Sequence, residues 1–256
     1  MRRLPLALAA HPSSWRLDRP GAEGEAAAGV FARDRHTCRF CGLCAVGRQE
    51  VFHLDGDHDG EAADNLATAC PLCHDCQHLG REGIEQDHAL AWLPEVSQAA
   101  LNHLVRAVHV ALHAHGEAAH MAERPVRDNA VLRAAYATHR ALAGRIDTAR
   151  RRIGTASPRE FGAALLGLPP AAAARRAELV GGLRLLSRGR LHRDGADVYP
   201  DLLDAWTAES GSLRDVLDVA EKAGRPGGPA ALGHSHRTSS PTRTPAHSHL
   251  HPRTPP

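Results

Sequence analysis

Cys38-Arg39-Phe40-Cys41 and Cys70-Pro71-Leu72-Cys73 are two Cys-x-x-Cys pairs within one short region of a 256-residue chain. Each pair reads as a knuckle, a tight turn that aims two thiolates at one point. Two knuckles supply the four ligands of a closed tetrahedral zinc shell, so Cys38, Cys41, Cys70 and Cys73 are the expected structural zinc ligands. Because the ligands must converge, such a site adds folding free energy outright. Cys44 and Cys76 extend each knuckle by three residues. With the tetrahedral shell already filled, they read as small residues or spare thiols beside it, in preference to a second metal site or an iron–sulfur cluster. All six cysteines lie between positions 38 and 76, which fits metal binding in a reducing compartment better than a disulfide framework.

The gap between the knuckles is longer than that of a bare zinc ribbon. Gln49-Glu50-Val51-Phe52-His53 alternates enough for a strand, and Asp55-Gly56 and Asp59-Gly60 are turn signals. Asn65-Leu66 leads into the second knuckle, and His74 after it is expected to open a helix. Strand, loop, Asn-Leu and Cys-x-x-Cys-His in this order resemble the HNH nuclease module, a ββα-metal fold with zinc knuckles. That resemblance implies His53 as general base, Asn65 as the residue that orients it and ties the loop, and His74 as ligand of a catalytic divalent cation. Phe52 stands where the resemblance implies a metal-binding Asp, and a phenyl ring cannot ligate a metal. Asp55, Asp57 and His58 are the substitutes at hand.

Outward from this module, Gly24 to Asp34 is a helix-prone stretch of small residues, and Pro12 to Leu17 reads as a short strand anchored by Trp15. Residues 95–120 read as an amphipathic helix. Leu101, Leu104, Val105, Val108 and Leu112 recur at spacings of three and four, with Ser97 as N-cap and Gly116 as stop. A second helix is expected from Asp128 to Ile153. Ser157-Pro158-Arg159-Glu160 opens a third, with Ser157 as cap and Pro158 at the first helical position. Further helices are expected near Ala171–Leu186 and Pro200–Ala223. The tail from Gly224 to Pro256 is rich in Pro, His, Ser and Thr. It cannot bury enough apolar surface to offset its ordering entropy, so disorder is expected. Its histidines (His234, His236, His247, His249, His251) read as solvated in preference to a weak metal site.

A second resemblance covers more of the chain. Pro12-Ser13-Ser14-Trp15-Arg16-Leu17, Arg33-Asp34-Arg35-His36-Thr37-Cys38-Arg39-Phe40-Cys41-Gly42, Leu54-Asp55-Gly56-Asp57, Asn65-Leu66, Leu93-Pro94-Glu95 and Ser157-Pro158-Arg159-Glu160-Phe161-Gly162 occur in this order. Together they resemble the IcmJ/DotN proteins of type IVB (Dot/Icm) secretion systems, from about residue 12 to about residue 206. The resemblance implies a zinc-bound, HNH-like protein without nuclease function. It also implies a cytoplasmic coupling complex in which the protein binds the coupling ATPase and helps to recruit effector proteins. This chain departs from those proteins in keeping His53 and His74.

Composition narrows the alternatives. The balance of 31 Lys and Arg against 29 Asp and Glu gives no charge argument for nucleic-acid binding. There is no apolar run long enough to span a membrane. The apolar N-terminus is broken by Pro5 and followed by His11, unlike a signal peptide. His109 and His113 could share a metal across one helical turn, but a polar helix face is the favoured reading. The basic stretch from Arg175 to Arg190 carries no interleaved aromatic residues for base stacking and suits a solvated face or an acidic partner. No Gly-rich phosphate loop or nucleophile motif is present.

The expected architecture is therefore α+β and mostly helical. Its parts are an N-terminal lead-in and helix (1–34), an HNH-like ββα zinc module (35–92), an α-helical region (93–223) and a disordered tail (224–256). The expected function is a zinc-stabilised, non-catalytic adaptor in a secretion coupling complex. The alternatives are a metal-dependent HNH endonuclease acting on DNA, with His53, Asn65 and His74 as its machinery, and a plain DNA-binding zinc module.

Overall fold

A computed structural model describes residues 2–13, 15, 24–118, 120 and 129–209 of the chain. The tail from 224 and the last part of the expected final helix lie outside them. The architecture is α+β.

α1 (Glu25–Arg33) turns Ala27 and Val30 inward against Val51 and Leu66 of a short antiparallel pair. That pair is β1 (Glu50–His53) and β2 (Leu66–Ala69), in the register Glu50↔Ala69 to His53↔Leu66. β2 runs straight into α2 (Pro71–His74), which opens at Pro71, inside the second knuckle. His74 thus closes this helix and does not open one. Proline needs no N–H at the first helical position and arrives with its φ already helical, which moves the start forward. A 3-10 turn (Asp75–Gln77) and α3 (Ile84–Asp87) follow.

Pro12, Ser13 and Trp15 lie in a turn, the Trp15 nitrogen 3.4 Å from the Pro12 carbonyl, and the rest of the expected strand (Ser14, Arg16, Leu17) lies outside the described residues. Trp15 is an anchor nonetheless. Its ring lies so close to Gly80 that a Cβ there would sit 2.2 Å from Cδ2.

The helices expected from caps and periodicity are present. α4 (Gln98–His113) is capped by Ser97, whose hydroxyl accepts from Ala100 N–H. α5 (Ala130–Ile153) is capped by Asn129, and α6 (Pro158–Leu166) by Ser157, which accepts from Glu160 N–H. Two short helices follow, α7 (Pro170–Ala174) and α8 (Arg176–Leu179). The helix expected through Leu186 then fails. Leu183–Ser187 is strand β4, paired antiparallel with β3 (His88–Trp92). Its leucines alternate: Leu183 and Leu185 pack with Leu79, Leu90 and Phe161, whereas Leu186 packs with Leu93, Leu101 and Val105. A strand buried on both faces reads as a continuous apolar run, which sequence pattern alone does not separate from a helix. The hairpin β5 (His192–Arg193) and β6 (Ala196–Asp197) follows, turning at Asp194 and Gly195, both at positive φ. Asp-Gly is the standard signal for such a turn. α9 (Tyr199–Glu209) ends the described chain.

The β3–β4 pair joins the segments 35–92 and 93–223. So does the largest core cluster, in which Cys38, Cys41, Cys70 and Cys73 pack with Phe40, Phe52, Val110 of α4 and Tyr199, Leu202 and Trp206 of α9.

Candidate metal centre

The first knuckle hangs from the end of α1. Asp34, buried at its C-cap, accepts hydrogen bonds from Arg33, Arg39 and the Thr68 N–H of β2. One carboxylate thus pins helix, knuckle and strand. Burial opposes its charge, but the Arg33 and Thr68 bonds outweigh burial and hold its pKa below the usual value. Gly42 closes the knuckle at φ +81°, a region that costs an L-residue about 1–2 kcal/mol. In the second knuckle, the turn of α2 brings Cys73 N–H to 2.9 Å from the Cys70 carbonyl. This carries both sulfurs to one side.

The four expected cysteines converge. One Sγ from each of Cys38, Cys41, Cys70 and Cys73 lies within 4.8 Å of the others, and all four residues are buried. The Cys41–Cys70 sulfur separation is 3.6 Å. A zinc–sulfur bond of about 2.3 Å implies a tetrahedral edge of about 3.8 Å. None of the six cysteines is in a disulfide. Burial pushes the Cys73 thiol well up. The neighbouring Cys38 and Cys41 sulfurs do the same to Cys70, while contacts with the other three overcome burial and hold Cys38 low. Four buried thiols cannot all ionise unaided, and a dication would offset half of the charge of four thiolates. Asn102 Nδ2 of α4 donates to Cys73 Sγ at 3.3 Å and to the Leu72 carbonyl, while Gln98 holds the Asn102 side-chain oxygen. The centre is compatible with zinc.

The three residues expected as catalytic machinery do not assemble in the expected way. His53 lies at the end of β1, only 1% exposed, and neither ring nitrogen has a hydrogen-bond partner among the described residues. Asn65 does not reach it. The Asn65 Oδ1 accepts from Asp55 N–H, and its Nδ2 donates to the Gly60 carbonyl, so it ties the loop alone. Phe52 turns to the other side of the strand and packs on Phe40 at 4.6 Å between ring centroids. His74 is buried, with Nδ1 2.9 Å from Glu50 Oε2 and Nε2 3.3 Å from His78 Nε2.

His58, one of the substitute ligands read from the sequence, and His78, which the sequence reading missed, complete this cluster. His58, from the loop after β1, stacks on His53 at 4.2 Å and meets His78 edge-on at 4.8 Å. Ring nitrogens of His58, His74 and His78 lie within 4.8 Å of one another. The His74-x-x-x-His78 spacing across a helical turn was the available signal. Burial, and then the neighbouring His53, lowers His58 to about 4. Burial, and then His74, lowers His53.

Behind the histidines lies a buried ion network. Arg193 bridges Glu50 and Asp75, and Arg81 bridges Asp75 and Asp87. His192 adds a 2.6 Å contact to Asp87. Burial works against the Glu50 and Asp75 charges, yet Arg193 and its neighbours keep both carboxyls below their usual range. Asp75, Asp87 and His88 also converge. Their positive partners are already these two arginines.

The remaining candidates stand apart. Cys44 is exposed, and its thiol donates to the Arg35 carbonyl; Cys76 is buried, its thiol donating to the Leu72 carbonyl and pushed well up by burial. His109 is buried against the Tyr199 hydroxyl at 2.8 Å, not on a solvated face, whereas His113 pairs with Asp204 at 2.7 Å, so the two do not share a metal. Of the basic stretch, Arg175 pairs with Glu178, and Arg184 donates to the Val96 and Gly181 carbonyls.

No family profile matches the chain. Over 117 residues it is 37% identical to the Type 4 apparatus protein DotN of Legionella pneumophila, a stretch covering 43% of this chain and 55% of that protein. The chain thus spans just over half the length of this curated relative.

Proposed function

We propose that this chain is a non-catalytic subunit of a type IV secretion apparatus, a member of the IcmJ/DotN family whose fold is locked by zinc on Cys38, Cys41, Cys70 and Cys73. The observation that carries the reading is the 37% identity to DotN over 117 residues. It agrees with the ordered motifs from Pro12 to Gly162. The geometry supports a scaffold: the four-cysteine centre packs on α4 and α9 within the largest core cluster. Phe52 is buried against Phe40 where a nuclease of HNH type would present a ligand, and Asn65 leaves His53 unoriented. On this reading the protein acts by binding. It would hold the cytoplasmic coupling ATPase of the secretion system and help to present effector proteins to it. Among the described residues no helix is long and apolar enough to cross a membrane, so membrane attachment would come through partners.

Affinity purification of the tagged full-length chain from its source organism tests this. The coupling ATPase should co-purify in stoichiometric amount. Repeated recovery of the chain without any secretion component would refute the reading.

A further inference from the structure

We propose that Arg2, Arg3 and Arg35, gathered beside the first knuckle, form an anion site that takes a compact phosphate ligand of the diphosphate class. The secretion-subunit reading makes no use of these residues.

The site is a cavity of about 560 Å3, lined by five arginines (Arg2, Arg3, Arg33, Arg35 and Arg39) against one acid, Asp34. Three segments of the chain build it. The N-terminal segment is fixed to the knuckle by the Leu4 N–H, which donates to the Arg39 carbonyl at 2.8 Å. Arg3 then lies over Gly42, so close that a Cβ there would sit 2.5 Å from Nη2. Glycine at position 42 therefore makes room for a guanidinium as well as for the turn. Arg35 follows α1 at φ +54°, and His36 follows at φ +51°. Each L-residue in this left-handed region costs about 1–2 kcal/mol. Strain of that kind persists where the surrounding structure over-determines it, and it clusters at ligand sites.

The five charges are not equally available. Arg33 is occupied, its fork holding the buried Asp34 and the Ala63 and Leu66 carbonyls. Arg39 gives Nη1 to Asp34, and its buried Nε has no hydrogen-bond partner among the described residues. Arg2, Arg3 and Arg35 have no ion-pair partner among the described residues. Asp34 is thus the internal counter-charge of two arginines, and the other three line the cavity uncompensated. Like charges held in one concavity focus a positive potential there.

The donors select the ligand. A guanidinium fork matches a pair of oxygens on a carboxylate or a phosphate. A carboxylate offers its two oxygens in one plane, whereas forks arriving from separate segments meet the oxygens of a tetrahedral phosphate. The cavity volume and the three uncompensated charges suit two linked phosphates better than one. No aromatic side chain lines the cavity, so a nucleobase finds no stacking platform and the phosphates carry the recognition. Two sources supply this chemistry, soluble diphosphate esters and phospholipid headgroups.

Calorimetric titration of the full chain with inorganic pyrophosphate tests the proposal, run at about 0.15 M salt so that distant charges are screened. One pyrophosphate per chain should bind, and Arg2→Gln/Arg35→Gln should weaken it by at least about tenfold. Both residues are exposed, so the variant should keep the thermal midpoint of the wild type. If it does not, Arg2→Gln alone should still lower the affinity. Citrate is the control for ligand class, and citrate binding as tight as pyrophosphate binding would overturn the phosphate assignment. Flotation with phosphatidylcholine vesicles, with and without cardiolipin, separates the sources. Cardiolipin-dependent retention that pyrophosphate competes away assigns a headgroup ligand, and without it the ligand is a soluble ester. No saturable pyrophosphate binding, or equal affinity in the wild type and a folded variant, overturns the proposal.

Discussion

Asn102→Leu is the sharpest test of how the helical body serves the knuckles. Asn102 sits on α4, remote in sequence from both knuckles, yet its Nδ2 donates to Cys73 Sγ at 3.3 Å and to the Leu72 carbonyl at 3.0 Å. Its Oδ1 accepts from Gln98 at 2.8 Å, and Gln98 is bonded to both backbone groups of Leu185 in β4. A chain of hydrogen bonds therefore runs from the β3–β4 sheet to a cysteine of the candidate metal centre. Leucine keeps the branched shape and removes both polar ends. The Cys73 thiolate loses a donor that spreads its charge, and loss of such a supporting bond typically lowers metal affinity by about 10–100-fold. That factor corresponds to about 1.4–2.7 kcal/mol. The metal-free contribution is separate: Gln98 keeps its bond to Leu185 but loses one partner, and the Leu72 carbonyl keeps only the Cys76 thiol, so a further loss of about 1–3 kcal/mol is expected. Zinc affinity is read by competition with a chromophoric chelator and stability by urea denaturation in excess zinc. An affinity within twofold of wild type in a folded Asn102→Leu protein would refute the claim that α4 tunes the centre.

Three further outcomes follow from the geometry. Trp206→Ala removes the largest fully buried side chain of the cluster around the cysteines and should cost about 3–5 kcal/mol, seen as a lower thermal midpoint. Gly80→Ala places a Cβ against the Trp15 ring and should cost about 1–3 kcal/mol, partly restored by Trp15→Leu; an unchanged midpoint would show that the ring is not seated there. Asp34→Asn should cost about 1–3 kcal/mol at pH 7, with a pH signature. The folded carboxylate has its pKa lowered from 3.8, so its stabilisation is full above that value and is lost as pH falls through the folded pKa. The gap between wild type and Asp34→Asn in urea midpoint should therefore close below about pH 4, and a gap independent of pH would show that the charge is irrelevant.

Much of the local structure was legible in the sequence because its causes are local. Ser97 and Ser157 announce helix starts through their own side chains, and each accepts the expected backbone N–H; Asn129, not read as a cap, does the same for α5. Cys38, Cys41, Cys70 and Cys73 likewise announce a shared centre, since a two-residue spacing within each pair already orients two sulfurs together. Leu183 to Ser187 was not legible. Its helix-favouring leucines form a strand because β3 offers a partner and both faces are covered, and neither fact resides in the segment itself.

The histidine cluster divides along the same line. His53 and His74 stood out by their positions beside β1 and the second knuckle, and His58 as one of three substitutes in the loop between them, but nothing read from the sequence joined His78 to them. That grouping depends on the loop after β1 folding back, with Ser13 accepting the His58 N–H from 45 residues away. It depends equally on Arg193, which fixes Glu50 across 143 residues. Sequence determined the ligand types and the short-range turns that aim them, because covalent spacing sets those. Tertiary structure decided which ligands meet and which carboxylates stay charged, because these depend on burial and on partners brought together only by the folded chain.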